Sequence, residues 1–149
     1  MKLGVIIVFD SCENEAFEER FLDLVRDFKQ INYCFVINNN RRDSLEILND
    51  ISEQSENTSV LEINGTKSEV SAVRAGARYL SSHLNLGQIG FITNIHGDKL
   101  LELIHHLKEN REIVYNIVSK QQKNKKVKQT LFQRLFSISE CLSDLGIDV

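Results

Sequence analysis

The stretch KLGVIIVF, residues 2–9, decides the fold class of this sequence. It is a continuous apolar run that stops at Asp10, as expected for a β-strand that is buried on both faces. From Glu15 to Phe28 the apolar residues recur with helical spacing, and acidic residues fall in the first turn, where a helix dipole favours them. A buried strand followed by an amphipathic helix indicates a parallel sheet covered by helices.

The same alternation of strand and helix continues along the chain. Further apolar runs predict strands at YCFVI (33–37), SVLEI (59–63), QIGFIT (88–93) and EIVYNIV (112–118). One helix is predicted to begin at a cap at Asp43 or Ser44, and another at Ser68. Two more are predicted over DKLLELIHHLKEN (98–110) and TLFQRLFSISECLSDL (130–145). The basic segment KQQKNKKVKQ (120–129) is predicted to be a loop. This order predicts a three-layer α/β/α sandwich with a mostly parallel sheet and right-handed crossovers.

The composition is that of a soluble chain with a single domain. Its 149 residues are enough for one core, and apolar and charged residues make up 42% and 26% of them. A net charge of -3 argues against nucleic acid or an anionic membrane as a general partner. The opening apolar run is too short to span a bilayer. Because the three cysteines, Cys12, Cys34 and Cys141, are scattered, we expect a reducing, cytoplasmic location.

Several common functions of α/β proteins lack their sequence motifs here. The first strand is followed by FDSCENE (9–15), without the glycines of a dinucleotide-binding loop, and neither a P-loop nor a GxSxG nucleophile motif occurs. Ligands of parallel sheets bind at the carboxyl ends of the strands. The informative loops are therefore 9–14, 38–43, 64–68 and 93–98.

Read in order, four segments resemble the family 2 glycosyltransferases. VIIVFDSCENEAFEERFLDLV (5–25) is similar to their first strand and helix, and FVINNNRRDSLEIL (35–48) to their second motif. INGTKSEVSAVRAGARYL (63–80) resembles the third, and GQIGFITNIHGDKLLELIHHL (87–107) lies where the family has a D-x-D motif and a helix. The resemblance implies the nucleotide-diphospho-sugar transferase fold (GT-A, Rossmann-like), with residues 1–149 forming one domain that corresponds to the nucleotide-sugar-binding half.

The resemblance also implies a ligand and the residues that bind it. The ligand is a UDP- or GDP-linked sugar, and the nucleotide-binding positions are Asp10, Ser11, Asn38, Asn39, Asp43 and Ser68. The family's base-reading acid aligns with Asn38 or Asn39, whose amide can both donate and accept hydrogen bonds.

The D-x-D pair, which in the family holds a divalent cation, is replaced. One register gives Thr93-Asn94-Ile95, and a shift by one gives Asn94-Ile95-His96, whose amide and imidazole suit Mn²⁺ better than Mg²⁺. Asp98 either approaches as a third ligand or caps the following helix. No residue matches the family's catalytic base, so the catalytic residues are unknown. Two hypotheses follow: a glycosyltransferase, or a non-catalytic relative that binds nucleotides or acts as an interaction module, including a homo-oligomer.

Overall fold

The computed structural model describes residues 2–10, 15–26, 28–65, 68–124 and 129–147, with only the backbone of residues 15 and 16. The strands are β1 (Leu3–Phe9), β2 (Ile31–Asn38), β3 (Thr58–Ile63), β4 (Gln88–Ile92) and β5 (Phe136–Ser137). The helices are α1 (Glu15–Arg26), α2 (Arg42–Glu53), α3 (Glu69–His83), α4 (Gly97–Glu109), α5 (Arg111–Lys123) and α6 (Ile138–Asp144), with a 3₁₀ helix at Phe132–Arg134. The strands form one parallel sheet in the order β3-β2-β1-β4-β5.

The sheet has helices on both faces, which confirms the predicted α/β class. Side chains alternate across β1, so that Val5 and Ile7 face a core formed with α1, α2, α4, α5 and α6. Ile6 points the other way, into a second core formed with α3 and the segment Leu131–Leu135. Gly76 lets α3 approach the sheet closely, because a β-carbon there would lie 2.8 Å from a methyl group of Ile6.

The chain reverses its direction across the sheet at β1. From β1 it adds β2 and then β3 on one side, and α3 then carries it back to β4 on the other side of β1. The helices of the outgoing path, α1 and α2, cover one face, and α3 covers the opposite face. The carboxyl ends of β1 and β4 therefore flank a topological switch point, where α/β sheets bind their ligands.

The prediction for residues 112–118 is wrong, because this segment belongs to helix α5 rather than to a fifth strand. Val114 and Val118 are both buried, whereas Glu112 and Asn116 are exposed. That is an i, i+4 pattern, so burial against the first core outweighs the β-propensity of Ile and Val. The helix continues to Lys123, so the first part of the predicted basic loop is also helical, and residues 125–128 lie outside the described residues.

The predicted terminal helix over 130–145 is also only partly correct. Its first half contains the 3₁₀ helix and the two-residue strand β5, and only Ile138–Asp144 is α-helical. Strand β5 pairs with β4 beside Gly90, where an added β-carbon would overlap the side chain of Ile138. The missing side chain of Gly90 thus creates the space in which β5 and α6 pack.

Two of the three predicted helix caps differ from the structure. Helix α2 begins at Arg42 without a side-chain cap, so that Asp43 lies in the first turn and Ser44 is buried inside the helix. Helix α4 has His96 at the N-cap position, and Asp98 again lies in the first turn, where the helix dipole favours a carboxylate. Ser68 does cap α3, since its hydroxyl accepts a hydrogen bond from the backbone N–H of Ser71.

Among the described residues, no helix is long and apolar enough to cross a membrane.

Candidate functional site

Polar residues converge at the carboxyl ends of β1 and β4. Asp10 directly follows β1, and the turn Thr93–His96 directly follows β4. The two strands are paired in register, with Ile7 beside Ile92, so these residues meet at the switch point of the sheet. The carboxylate of Asp10 lies 3.8 Å from Nε2 of His96, and both side chains are exposed. Asp10 and His96, from two of the loops that the sequence singles out, are therefore in contact.

The turn after β4 contains two residues with positive φ angles, and both are of types that adopt them readily. Asn94 has φ of 58° and Gly97 has φ of 57°, and Asn and Gly are the residues that adopt this left-handed region most readily. Between them Ile95 is partly buried against the first core. Anchoring through Ile95 leaves the side chains of Asn94 and His96 exposed at the edge of the sheet.

Asp98, the third predicted metal ligand, forms an ion pair on the opposite side of the turn. Its Oδ1 lies 3.1 Å from the guanidinium of Arg20, which links α4 to α1. Within the described ranges, no three or more His, Cys, Asp or Glu side chains form a group that could hold a metal ion. The described donors thus fall short of the oxygen-rich shell that Mg²⁺ or Mn²⁺ requires.

The predicted base-reading asparagines connect the loops that follow β2 and β3. Asn38 donates through Nδ2 to the carbonyl of Gly65, and its Oδ1 accepts from the backbone N–H of Asn40 at 3.2 Å. Asn39 donates through Nδ2 to Oδ1 of Asn64. Gly65 has φ of 71°, as the Asn-Gly turn predicts. Both functional groups of Asn38 are therefore already hydrogen-bonded, and a ligand that contacts them has to compete with the loop.

The remaining predicted nucleotide-binding residues are spread along this edge. The hydroxyl of Ser68 is 3.1 Å from that of Ser71, in addition to its role as the α3 cap. Asp43 is exposed in the first turn of α2. Ser11 lies outside the described residues. Of the five predicted positions that the structure describes, Asp10 is the one with a contact to the turn after β4.

A groove that the sequence did not predict opens on the α3 face of the same edge, and we call it the α3 groove. Its volume is about 240 Å³. It is lined by the first two turns of α3, the end of β4 and the segment before β5, namely Glu69, Val70, Val73, Arg74, Phe91, Thr93, Phe132 and Leu135. The sequence gives little sign of this groove, because it predicts a continuous helix through Phe132 and Leu135. Val70, at the rim, is 60% exposed and is unusually apolar for such a position.

A larger and shallower groove lies between α1 and α4 on the other face. It measures about 540 Å³ and is lined by Arg20, Asp23, Leu24, Asp98, Leu101, Glu102 and His105. Three of these side chains are carboxylates and one is a guanidinium. An anionic ligand is therefore disfavoured here relative to the α3 groove.

Neither described cysteine is suited to be a nucleophile. Burial raises the pKa of the Cys34 thiol to about 12, and its contact with Ser59 offsets this only in part. Burial, and then the charge of Asp144, raise the pKa of Cys141 as well. Since the thiolate is the reactive form, burial makes both thiols less reactive than an exposed cysteine. Cys12 lies outside the described residues.

No protein-family model matches this sequence, and no curated protein matches it.

Proposed function

We propose that this protein binds a nucleotide-linked sugar at the carboxyl edge of its sheet, in the manner of the nucleotide-binding half of a family 2 glycosyltransferase (GT-A fold). The order of the four sequence segments supports this, because each contains the carboxyl end of one strand from β1 to β4, and these ends lie at that edge. The parallel sheet supports it as well, since its order reverses between β1 and β4. The ligand we expect is linked to UDP or GDP.

The observation that carries the proposal is the α3 groove beside the switch point. Its walls include Val70, Val73 and Phe91, and Thr93 supplies a hydroxyl at the end of β4. At about 240 Å³ it is smaller than the ~300–1,000 Å³ of typical ligand pockets. It therefore has room for one part of a nucleotide, and an aromatic base is the part that apolar walls favour.

The opposite face is the less suitable alternative. The groove between α1 and α4 carries the carboxylates of Asp23, Asp98 and Glu102, which repel a diphosphate. Among the described residues that line this groove, the cation that offsets them is Arg20, and its guanidinium is already paired with Asp98. We therefore assign the base to the α3 groove and the ribose to the open edge near Asp10 and His96.

A second candidate is a relative that binds the nucleotide without transferring the sugar. The observation that favours it is the donor set at the turn after β4, in which Asp98 is paired with Arg20 and the described residues supply no cluster of acids. Under this candidate the protein binds UDP or GDP, alone or as an oligomer, and shows no transfer or hydrolysis above a heat-inactivated control. Light scattering measures the oligomeric state directly.

The test is calorimetric titration with UDP, GDP, CDP and the corresponding sugar nucleotides, with and without Mn²⁺. Val70→Trp fills the rim of the α3 groove and should weaken nucleotide binding by about tenfold or more, the loss expected when a stacking contact is blocked. Ile113→Trp is the matched control, because Ile113 is also exposed, at 50%, but lies on α5 away from the groove. The proposal fails if no nucleotide gives heat at millimolar concentration, or if both tryptophan variants bind as the parent does.

A further inference from the structure

Two arginines of α3 are held over the ring of Phe132. The guanidinium carbon of Arg74 lies 5.2 Å from the ring centroid, and that of Arg78 lies 5.1 Å from it. The two arginines are four residues apart, so they project from the same side of the helix. Phe132 reaches them from the 3₁₀ helix that precedes β5. We call the two arginines, together with the ring of Phe132 that they share, the Phe132 arginine pair.

The charges of this pair are not neutralised within the described part of the chain. None of the described ion pairs includes Arg74 or Arg78. Like charges at i, i+4 on a helix repel each other, and the ring contact orders the guanidinium groups without cancelling their charge. Both side chains are exposed, so their N–H groups remain open to a ligand. Two ordered guanidinium groups that lack an anion are the arrangement that binds phosphate oxygens in a fork.

From this geometry we infer that the Phe132 arginine pair is a phosphate-binding site, which takes the phosphates of the nucleotide or free pyrophosphate. Because each guanidinium carbon is about 5 Å from one ring centroid, the two are no more than about 10 Å apart, a distance that a diphosphate can bridge. Among the residues that line the α3 groove, the one carboxylate belongs to Glu69, which precedes Arg74 by five residues and thus by more than one helical turn. The assignment of the nucleotide's phosphates to this site rests on the proposed function, whereas the binding of free pyrophosphate does not.

The cluster is continuous with the α3 groove. Arg74 and Phe132 line that groove, and Arg78 lies one turn further along α3. A base in the groove therefore leaves its phosphates within reach of the arginines. This supplies positive charge for the diphosphate on an acidic protein, of net charge -3, without a metal ion.

Inorganic pyrophosphate is the first probe, titrated at low salt into the full chain. Arg74→Gln/Arg78→Gln should weaken its binding by about tenfold or more, and Arg78→Gln alone should weaken it measurably. Arg111→Gln is the matched control, because Arg111 stacks on Phe28 at 4.4 Å and its loss removes one charge outside the cluster. Phe132→Leu removes the ring and should weaken pyrophosphate binding less than Arg74→Gln/Arg78→Gln does. Circular dichroism shows whether each variant is folded.

The outcomes separate this inference from the proposed function. Uridine, which has no phosphate, should bind equally well to the parent and to Arg78→Gln if the arginines recognise phosphate, because Arg78 does not line the α3 groove. The inference is overturned if pyrophosphate does not bind the parent, or if Arg111→Gln weakens it as much as Arg78→Gln does. It is also overturned if UDP binds the double variant as tightly as the parent, a result that leaves nucleotide binding intact. If pyrophosphate binds through the arginines while no nucleotide or nucleoside binds in the groove, the anion site stands and the proposed function fails.

Discussion

The side-chain nitrogen of Asn57 lies 2.7 Å from the carbonyl oxygen of Val25, which joins the start of β3 to the end of α1. The same nitrogen also contacts the carbonyl oxygens of Phe28 and Ile31, at 3.0 and 2.8 Å. Its amide oxygen accepts from the hydroxyl of Ser55 at 2.6 Å. One buried asparagine thus satisfies the backbone groups that α1 and the turn before β2 leave without partners.

We therefore expect Asn57→Ala to destabilise the protein by about 3 kcal/mol. The substitution leaves buried carbonyl groups unsatisfied and removes the hydrogen bond from the hydroxyl of Ser55. Urea denaturation followed by circular dichroism measures the change. Asn49→Ala is the control, since Asn49 is exposed on α2 and its loss should change the free energy of unfolding by no more than about 0.5 kcal/mol. Equal effects at the two positions would show that the contacts of Asn57 are not the cause.

Gly90 determines how β5 and α6 pack against β4. A β-carbon at Gly90 would overlap Ile138 and lie 3.0 Å from the ring of Phe136. Gly90→Ala should lower the free energy of unfolding by about 2 kcal/mol, because it overpacks this site. The double variant Gly90→Ala/Ile138→Val should recover part of this loss, because it removes the methyl group that clashes. Thermal denaturation of both variants and of Ile138→Val provides the double-mutant cycle. Strictly additive losses would contradict the packing argument.

Much of the fold could be predicted from β1 to α4, because the strands there are long apolar runs and each is followed by a helix with a clear apolar face. The segment 112–118 could not, since a short run rich in Ile and Val fits a strand or a buried helix, and the partners that decide between them lie far away in sequence. Strand β5 has two residues, too few for any alternating pattern. Its position depends on Gly90, which nothing in the local sequence of Phe136 reveals.

The meeting of polar residues at the carboxyl edge of the sheet could be predicted, but their detailed contacts could not. Asp10 and His96 are both at strand ends in the sequence, and the parallel order brings them together. The α3 groove and the Phe132 arginine pair depend on Phe132, whose segment was assigned to a helix. The loop contacts of Asn38 with Gly65 depend on the spacing of β2 and β3, a property of the sheet rather than of either loop.

Tyr33 presents a buried hydroxyl without a hydrogen-bond partner in the described part of the chain. Tyr33→Phe removes that hydroxyl and keeps the ring, which packs near Phe35. We expect it to raise the free energy of unfolding by about 1 kcal/mol, because the cost of desolvating an unpaired hydroxyl disappears. Tyr79→Phe, at a partly exposed position, is the control and should change stability by no more than about 0.5 kcal/mol. A loss of stability in Tyr33→Phe would mean that a bound water satisfies the hydroxyl.

Alkaline pH should destabilise the fold through two buried acids. Burial raises the pKa of Tyr33 and raises that of Cys34 to about 12. In the unfolded chain both ionise at lower pH, so the stability they provide is complete below about pH 8 and is lost as the pH rises toward the folded pKa values. Between about pH 8.5 and 10.5 the parent should lose about 2 kcal/mol more than Cys34→Ala does. Denaturation curves at the two pH values measure this difference, and parallel losses would exclude Cys34 as a source.

Asp10 is the predicted nucleotide-binding residue that the structure places beside the turn after β4, and it should matter for binding rather than for stability. Its carboxylate is 72% exposed and its ion-pair partner is His96, at 3.8 Å. Asp10→Ala should therefore change the free energy of unfolding by no more than about 0.5 kcal/mol, since exposed ion pairs contribute little. The affinity for uridine should fall about fivefold, because one hydrogen bond to a carboxylate is lost. Uridine is the probe because it has no phosphate that Asp10 could repel. Asp50→Ala, an exposed acid on α2, is the control for charge, and unchanged uridine binding in Asp10→Ala would remove the end of β1 from the nucleotide site.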